Sequence, residues 1–424
     1  MPTKTSRFNV SLVLAALAVA PVAADTVSVT AERLLDVESG KLLRRHVVLI
    51  EDGLVTAVGP REPGQSVTHD LGDVTLLPGL IDAHVHLVGA EEQTPYERLI
   101  ETTARAAIEG VANARATVEA GFTTVRDLGS RDRADVALRD AIAAGRVPGP
   151  RMLVAVKSLS STGGHGDRND LPEDVEVHRL SGIADGPEEI RRKVRENVKH
   201  GADWIKVLAT GGVMSAGTDP RAADYTAEEL AAAVAAAREK GRDVAAHAHG
   251  TEGIRRAALA GVRSIEHASM LDDETVALIA ERGAFVVPNP YTNLYIIERG
   301  AEGGFQPYQI EKSRQVYELK LESLRRAIRA GLAVAYGTDS GVQPHGVNAR
   351  QMRIFVEAGM TPLEAIRAAT LVNARLLRLE GKIGVLKPGA FGDLIAVPGN
   401  PLEDVTVLER PAFVMKEGRV VATR

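Results

Sequence analysis

The stretch LIDAHVHL, Leu80 to Leu87, sets two histidines at alternate positions in an otherwise apolar run. Residues two apart in a strand point the same way. As a strand, the stretch brings His84 and His86 to one point, with Asp82 deeper on the same face. Two neutral imidazoles side by side suit a divalent metal. Two satisfied core histidines would show the same spacing, so the rest of the chain has to decide.

Working outward, similar apolar runs recur: FTTVRDLG, RMLVAVKSLS, DWIKVLATGG, DVAAHAHG, SIEHAS, AFVVPNP and AVAYGTDSG. Helical stretches fall between them, such as TAEELAAAVAAAREKG, where Thr226 and Glu229 form a capping-box pattern and Gly241 marks the stop. Strands alternating with helices argue for a parallel sheet. The fold expected is α/β: eight such units closed into a (β/α)8 TIM-like barrel over residues 78–385. The flanks differ. Residues 25–77 and 386–424 are β-rich, with hairpin signals at Asp52-Gly53 and Glu417-Gly418. Joined, they would make a small β-sandwich from both chain ends. The segment Tyr291–Tyr308, Gly-rich and aromatic, reads as a long loop able to cover an active site.

Composition narrows the function. With 45% hydrophobic residues, 25% charged and a net charge of −5, the chain has no basic footprint for nucleic acid. Residues 1–24 carry the grammar of an export signal: Lys4 and Arg7, an apolar core from Val10 to Ala20, then small Val22 and Ala24 before Asp25. The protein is therefore expected outside the cytoplasm, periplasmic or secreted, with no membrane span in its mature form. It has no cysteine, so thiolate chemistry and Cys-based metal sites are excluded.

Barrels of this kind keep their chemistry at the C-terminal ends of their strands. There the sequence places His84, His86, His165, Lys206, His247, His249, His267 and Asp339. Six of the chain's eleven histidines fall in this set, which scatter would not produce. Lys206 is the odd member, since an ammonium repels a cation. A lysine in an apolar barrel mouth has a lowered pKa, and a neutral amine can take up carbon dioxide as a carbamate whose two oxygens bridge two metals.

PGLIDAHVHL, DWIKVLATGG, AAHAHG, SIEHAS and YGTDSG, in this order, resemble the amidohydrolase superfamily over nearly the whole mature chain. The likeness is strongest to binuclear, carboxylated-lysine members that act as Xaa-Pro dipeptidases or N-acyl amino acid hydrolases, including degraders of ochratoxin A. The resemblance implies that His84, His86 and Asp339 hold one ion and that His247 and His267 hold the other. Lys206, as N6-carboxylysine, would bridge them. A hydroxide shared by the two ions would attack the amide. Asp339 would shuttle the proton, and His165, in SSTGGHGD, would meet the substrate carbonyl. Histidine and carboxylate ligands suit zinc, and manganese or cobalt would also fit. Relatives suggest a homo-oligomer by analogy.

The expected substrate is a small-molecule amide with a free carboxylate on its leaving half. Ochratoxin A, split into ochratoxin alpha and phenylalanine, is one such molecule. Tyr291, Tyr295, Phe305 and Tyr308 offer aromatic surface for an acyl group, and Arg168, Arg350, His249 and His345 could pair with a carboxylate. Alternatives on the same barrel are a lactonase or phosphotriesterase, and an imidazolonepropionase-like hydrolase of cyclic amides. A catalytically dead binding barrel would lack ligands, and this sequence has the full set.

Overall fold

The computed structural model describes residues 26–89, 93, 95–172 and 182–424. The proposed export signal, residues 1–24, lies outside the described residues. The chain is α/β, as expected. Its parallel strands Leu80–Val85, Phe122–Asp127 and Arg151–Val154 form one sheet. Trp204–Leu208, Asp243–Ala248, Ser264–His267 and Phe285–Val287 follow in order in a second sheet, which begins with two short strands, Gly182–Ile183 and Leu159–Ser160. Asp203 links the two by donating its N–H to the Val154 carbonyl at 2.8 Å.

The eighth expected strand is not a regular one. Around residues 333–340 the backbone makes isolated parallel bridges, Val286 to Val334 and Val85 to Ser340. The ladders thus form two parallel sheets, and no closed barrel of regular ladders is present among the described residues. The physical reason is local. The Thr338 N–H bonds the Asp82 carboxylate at 3.0 Å, and Asp339 turns into the left-handed region at φ 60°. The Thr338 N–H is thus shared between the Asp82 carboxylate and the His84 carbonyl at 3.2 Å, and the Asp339 N–H bonds the same carbonyl at 2.7 Å, so the backbone stays joined to the first strand without regular ladder geometry.

Both chain ends meet in one antiparallel-rich sheet. Strands Leu394–Pro398, Phe413–Lys416 and Arg419–Thr423 join Val74–Pro78, Arg33–Asp36 and Lys41–Arg44. A second sheet holds Thr26–Thr30, His46–Glu51 and Leu54–Pro60. Val29, Val48 and Ile50 of the second share one apolar cluster with Leu34, Leu76, Leu394 and Phe413 of the first. Both predicted two-residue hairpin turns are present, with positive φ at Asp52, Gly53, Glu417 and Gly418, as a type I′ turn requires. The predicted capping box is present too: Thr226 and Glu229 start the helix Ala227–Arg238.

The segment expected to be a loop is mostly helical. Pro290–Arg299 is an α-helix, Gly300–Gly303 a single tight turn, and Pro307–Arg329 a long helix. Pro290 and Pro307 each sit at a helix start, where a missing N–H costs nothing. Tyr291, Tyr295 and Ile296 of the first helix share one apolar cluster with Val316 and Ile354. Among the described residues no helix is long and apolar enough to cross a membrane.

Candidate active site

The Leu80–Val85 strand is buried throughout. It delivers His84 to the floor of a cavity of about 400 Å³, with His86 just past its end. His84 donates Nδ1–H to Glu266 Oε2 at 2.9 Å, and His86 donates Nδ1–H to the Gly129 carbonyl at 3.0 Å. Each bond leaves Nε2 free. Both Nε2 atoms stand 3.4 Å from Asp339 Oδ1, and Lys206 Nζ stands 3.5 Å from His84 Nε2. A tetrahedral zinc with ligands at about 2.0–2.1 Å has ligand-to-ligand edges of about 3.3–3.4 Å. The donor spacing fits a divalent ion.

A second group adjoins the first. Ligand atoms of His247, His249 and His267 lie within 4.8 Å of one another, as do those of His84, His267 and Asp339. His267 is common to both groups. It donates Nδ1–H to Asn289 Oδ1 at 2.8 Å, and His247 donates Nε2–H to the Gly211 carbonyl at 3.2 Å. His249, read above as a substrate residue, thus stands among the histidines able to ligate. His267, Asn289 and Asp339 all adopt positive φ, which is uncommon without glycine and concentrates strain at this floor.

The electrostatics favour the neutral, ligating form of four of these histidines. Burial holds His84 down to about 4 and drives His247, His249 and His267 well below their usual value, so these imidazoles are neutral. Burial lowers Lys206 to about 8 against the pull of Glu266 and Asp339. Burial works against ionisation of Asp339, but His84, His86 and Lys206 keep it well below the carboxylate range. His86 is the exception: burial is outweighed there, and the Asp339 carboxylate raises it, favouring the protonated ring.

Residues 75–421 match the model of the Amidohydrolase family. The chain belongs to the amidohydrolase family. It is 35% identical over 402 residues to an ochratoxinase of Aspergillus niger, covering 88% of this chain and 82% of that one. Among solved structures it is similar to a Xaa-Pro dipeptidase with methionine bound in the active site, at 36% identity and TM-score 0.88 over 93% of this chain and 99% of that one. It is also similar to a prolidase complexed with N-methylphosphonate-L-proline, at 33% identity and TM-score 0.88 over 94% of this chain and all of that one. The family resemblance seen in the motifs is borne out, and this amidohydrolase is an enzyme that hydrolyses amide bonds.

Above the floor, the cavity walls of the amidohydrolase bring in further residues. His165 stacks on His247 with ring centres 4.4 Å apart, and its Nδ1 bonds the Ser215 hydroxyl at 2.8 Å. Its ring lies flat on Gly212, where a Cβ would stand 2.3 Å from it, so only glycine fits there. Arg168 lines the cavity, paired with Asp170 at 2.9 Å. Phe305 and Tyr308 line it as well. The structure sets the other proposed substrate residues elsewhere. Tyr291, Tyr295 and Arg350 are not among the lining residues. The two tyrosines pack in the apolar cluster behind the wall, and Arg350 donates to the Tyr291 hydroxyl at 3.2 Å. His345 braces the first strand, donating Nε2–H to the His86 carbonyl at 3.2 Å.

Sequence reasoning missed the support under the candidate ligands. Glu266, wholly buried, accepts from His84 and from Arg126 Nη2 at 2.8 Å. Arg126, also wholly buried, spans the interior over the Trp204 ring. Both were legible as charges inside short apolar strands, the signal that exposed Lys206. Asp82, read as supporting, accepts from Thr338 Oγ1 at 2.6 Å and Asn348 Nδ2 at 2.8 Å and so pins the turn that carries Asp339.

Proposed function

We propose that this enzyme is a binuclear metallohydrolase that releases an amino acid from N-acyl amino acids or dipeptides, ochratoxin A included. The observation that supports it is the convergence of His84, His86, Lys206, His247, His267 and Asp339 on the floor of one cavity. In this reading the two parallel sheets and residues 333–340 form one (β/α)8 barrel, and the sheets built from both ends form a β-sandwich. His84, His86 and Asp339 would hold one ion, and His247 and His267 the other, with His249 the alternative ligand beside them. Lys206 would take up carbon dioxide, losing one proton, to give the anion that the bridging role needs. When bound, two divalent ions, zinc by ligand chemistry, supply an acidified water (pKa from 15.7 to about 7) and a polarised carbonyl. Asp339 accepts the proton of the attacking water and returns it to the leaving nitrogen. With Nδ1 bonded to Ser215, His165 has Nε2 left for the developing oxyanion.

Two relatives bear on the leaving half. One solved dipeptidase holds methionine in its active site, and one prolidase holds a phosphonate of proline; both ligands are built on an amino acid. The test is a comparison, under one metal condition, of N-benzoyl-L-phenylalanine, a Xaa-Pro dipeptide, ochratoxin A, a lactone and a phosphotriester. The amides should be preferred. Preference for the lactone or phosphotriester would overturn the substrate assignment.

A further inference from the structure

We propose that Lys320 anchors the free carboxylate of the substrate's leaving amino acid. This rests on the amide-hydrolase reading above and adds the group that recognises the leaving side. Four basic side chains line the cavity among the described residues: Arg131, Arg168, Lys206 and Lys320. Arg131 is paired with Glu101 at 3.3 Å, and Arg168 with Asp170. Lys206 stands within the ligand cluster. Lys320 remains, and among the described residues it makes no ion pair.

Lys320 projects from the Pro307–Arg329 helix and is 1% exposed. Its ammonium has three N–H donors. It makes one short bond, to Asn293 Oδ1 at 2.6 Å, and two long ones, at 3.3 and 3.4 Å, both to Asn289. Two neutral amides do not balance a buried cation, and burial pushes Lys320 down to about 7 against the pull of Asp339. An anion arriving in the cavity would supply the balance and replace the long bonds with a charge-assisted one.

Its position suits the leaving half. Asn289 Oδ1 accepts from both Lys320 and His267, so the ammonium lies one side chain behind the ligand cluster. In an N-acyl amino acid the carboxylate carbon is two bonds from the scissile nitrogen. A substrate whose carbonyl is seated at the cluster therefore carries its negative charge to the cluster's edge. Of the other candidate partners, Arg168 is engaged with Asp170, Arg350 with Tyr291 and His345 with the His86 carbonyl, while His249, held neutral by burial, stands in the histidine cluster with Nδ1 bonded to the Ser269 hydroxyl at 2.7 Å.

The test uses the full chain loaded with zinc, N-benzoyl-L-phenylalanine and its C-terminal amide, and two variants. Lys320→Met removes the charge. Asn293→Asp, nearly isosteric, sets an internal carboxylate on the ammonium and keeps the site testable if the first variant does not fold. Wild type should favour the acid about ten- to a hundredfold in kcat/KM, the range of one charge-assisted hydrogen bond. Both variants should lose that preference through the acid alone, with the amide's kcat/KM and the zinc content unchanged. Equal losses on acid and amide, or a fall in zinc content matching the fall in rate, would overturn the anchor and leave Lys320 a support for Asn289. If wild type cleaves no N-acyl amino acid or dipeptide, the functional reading fails instead, and calorimetry decides on Lys320. Tighter binding of the acid than the amide by wild type but not by Asn293→Asp sustains the anchor, and equal binding overturns it.

Discussion

Glu266→Gln should turn His84 into the wrong tautomer. The carboxylate accepts three bonds in a wholly buried setting: from Arg126 Nη2 at 2.8 Å, His84 Nδ1 at 2.9 Å and Ser264 Oγ at 2.5 Å. Burial raises its pKa, but Arg126 and His84 outweigh that and hold it at about 2, so it is ionised at any working pH. Glutamine keeps the shape but offers one acceptor and one donor group. The acceptor goes to the Arg126 cation, the stronger partner. The amide N–H then faces His84 Nδ1, which must give up its proton and accept. The proton moves to Nε2, the atom that points at Asp339 Oδ1, and the lone pair needed by a metal is lost. Supporting contacts of this kind are worth about 10- to 100-fold in metal affinity, or about 1.4–2.8 kcal/mol. Arg126→Met should behave differently. It leaves the Glu266 charge buried without its cation, at a cost of about 3–5 kcal/mol in stability, while His84 keeps its acceptor. The assay is zinc retention against a chelator series, with urea unfolding of the metal-free proteins alongside. Glu266→Gln should release zinc at a tenth or less of the chelator needed for wild type, and Arg126→Met should unfold early but hold zinc nearly as wild type does. A folded Glu266→Gln that retains zinc like wild type would refute the tautomer argument.

Metal analysis of loaded protein should give two equivalents per chain; one equivalent with full activity would remove the bridging role of Lys206. Lys206→Ala should lose most activity, with partial rescue by short carboxylic acids that fill the place of the carbamate, and full activity would make the lysine structural. Asp339→Asn should slow turnover by about 10²- to 10⁴-fold, the range of general acid–base catalysis, with metal content falling less than the rate; strict proportionality would make Asp339 a ligand only. Residues 1–24 are proposed to be an export signal, so N-terminal sequencing from the native host should begin at Asp25, and active cytosolic enzyme retaining Met1 would refute it.

Much of this site was legible because its residues stand out from their setting. An imidazole or an ammonium in a short apolar strand has few structural uses, so His84, His86, Lys206 and His267 announce themselves by contrast. Turns with fixed backbone demands were legible for a similar reason: Asp52-Gly53 and Glu417-Gly418 each meet a demand for two positive φ values. Where a distant side chain enters a backbone's hydrogen bonding, sequence pattern fails. AVAYGTDSG alternates like a strand, yet Asp82, distant in sequence, shares the Thr338 N–H with the His84 carbonyl, and Asp339 turns to positive φ, so the pairing there is irregular. The 291–308 segment misled because glycine and aromatic content was read ahead of the helix starts at Pro290 and Pro307.

Lys320 was hidden by the opposite circumstance to Lys206. Its stretch, VYELKLESLRR, is an ordinary amphipathic helix in which lysine is a usual surface residue. Only the packing of that helix over the cavity turns one of its charges inward, onto Asn289 and Asn293 from a different helix start. Ligands on strands are read from one segment because the strand itself aims them. A specificity residue on a covering helix is aimed by docking, which is a property of two segments and of the space between them. The same distinction predicts how each role tolerates change. Substituting a strand ligand should abolish metal binding whatever the substrate, whereas disturbing the docked helix at Lys320 should leave the metals in place and change which amides are chosen.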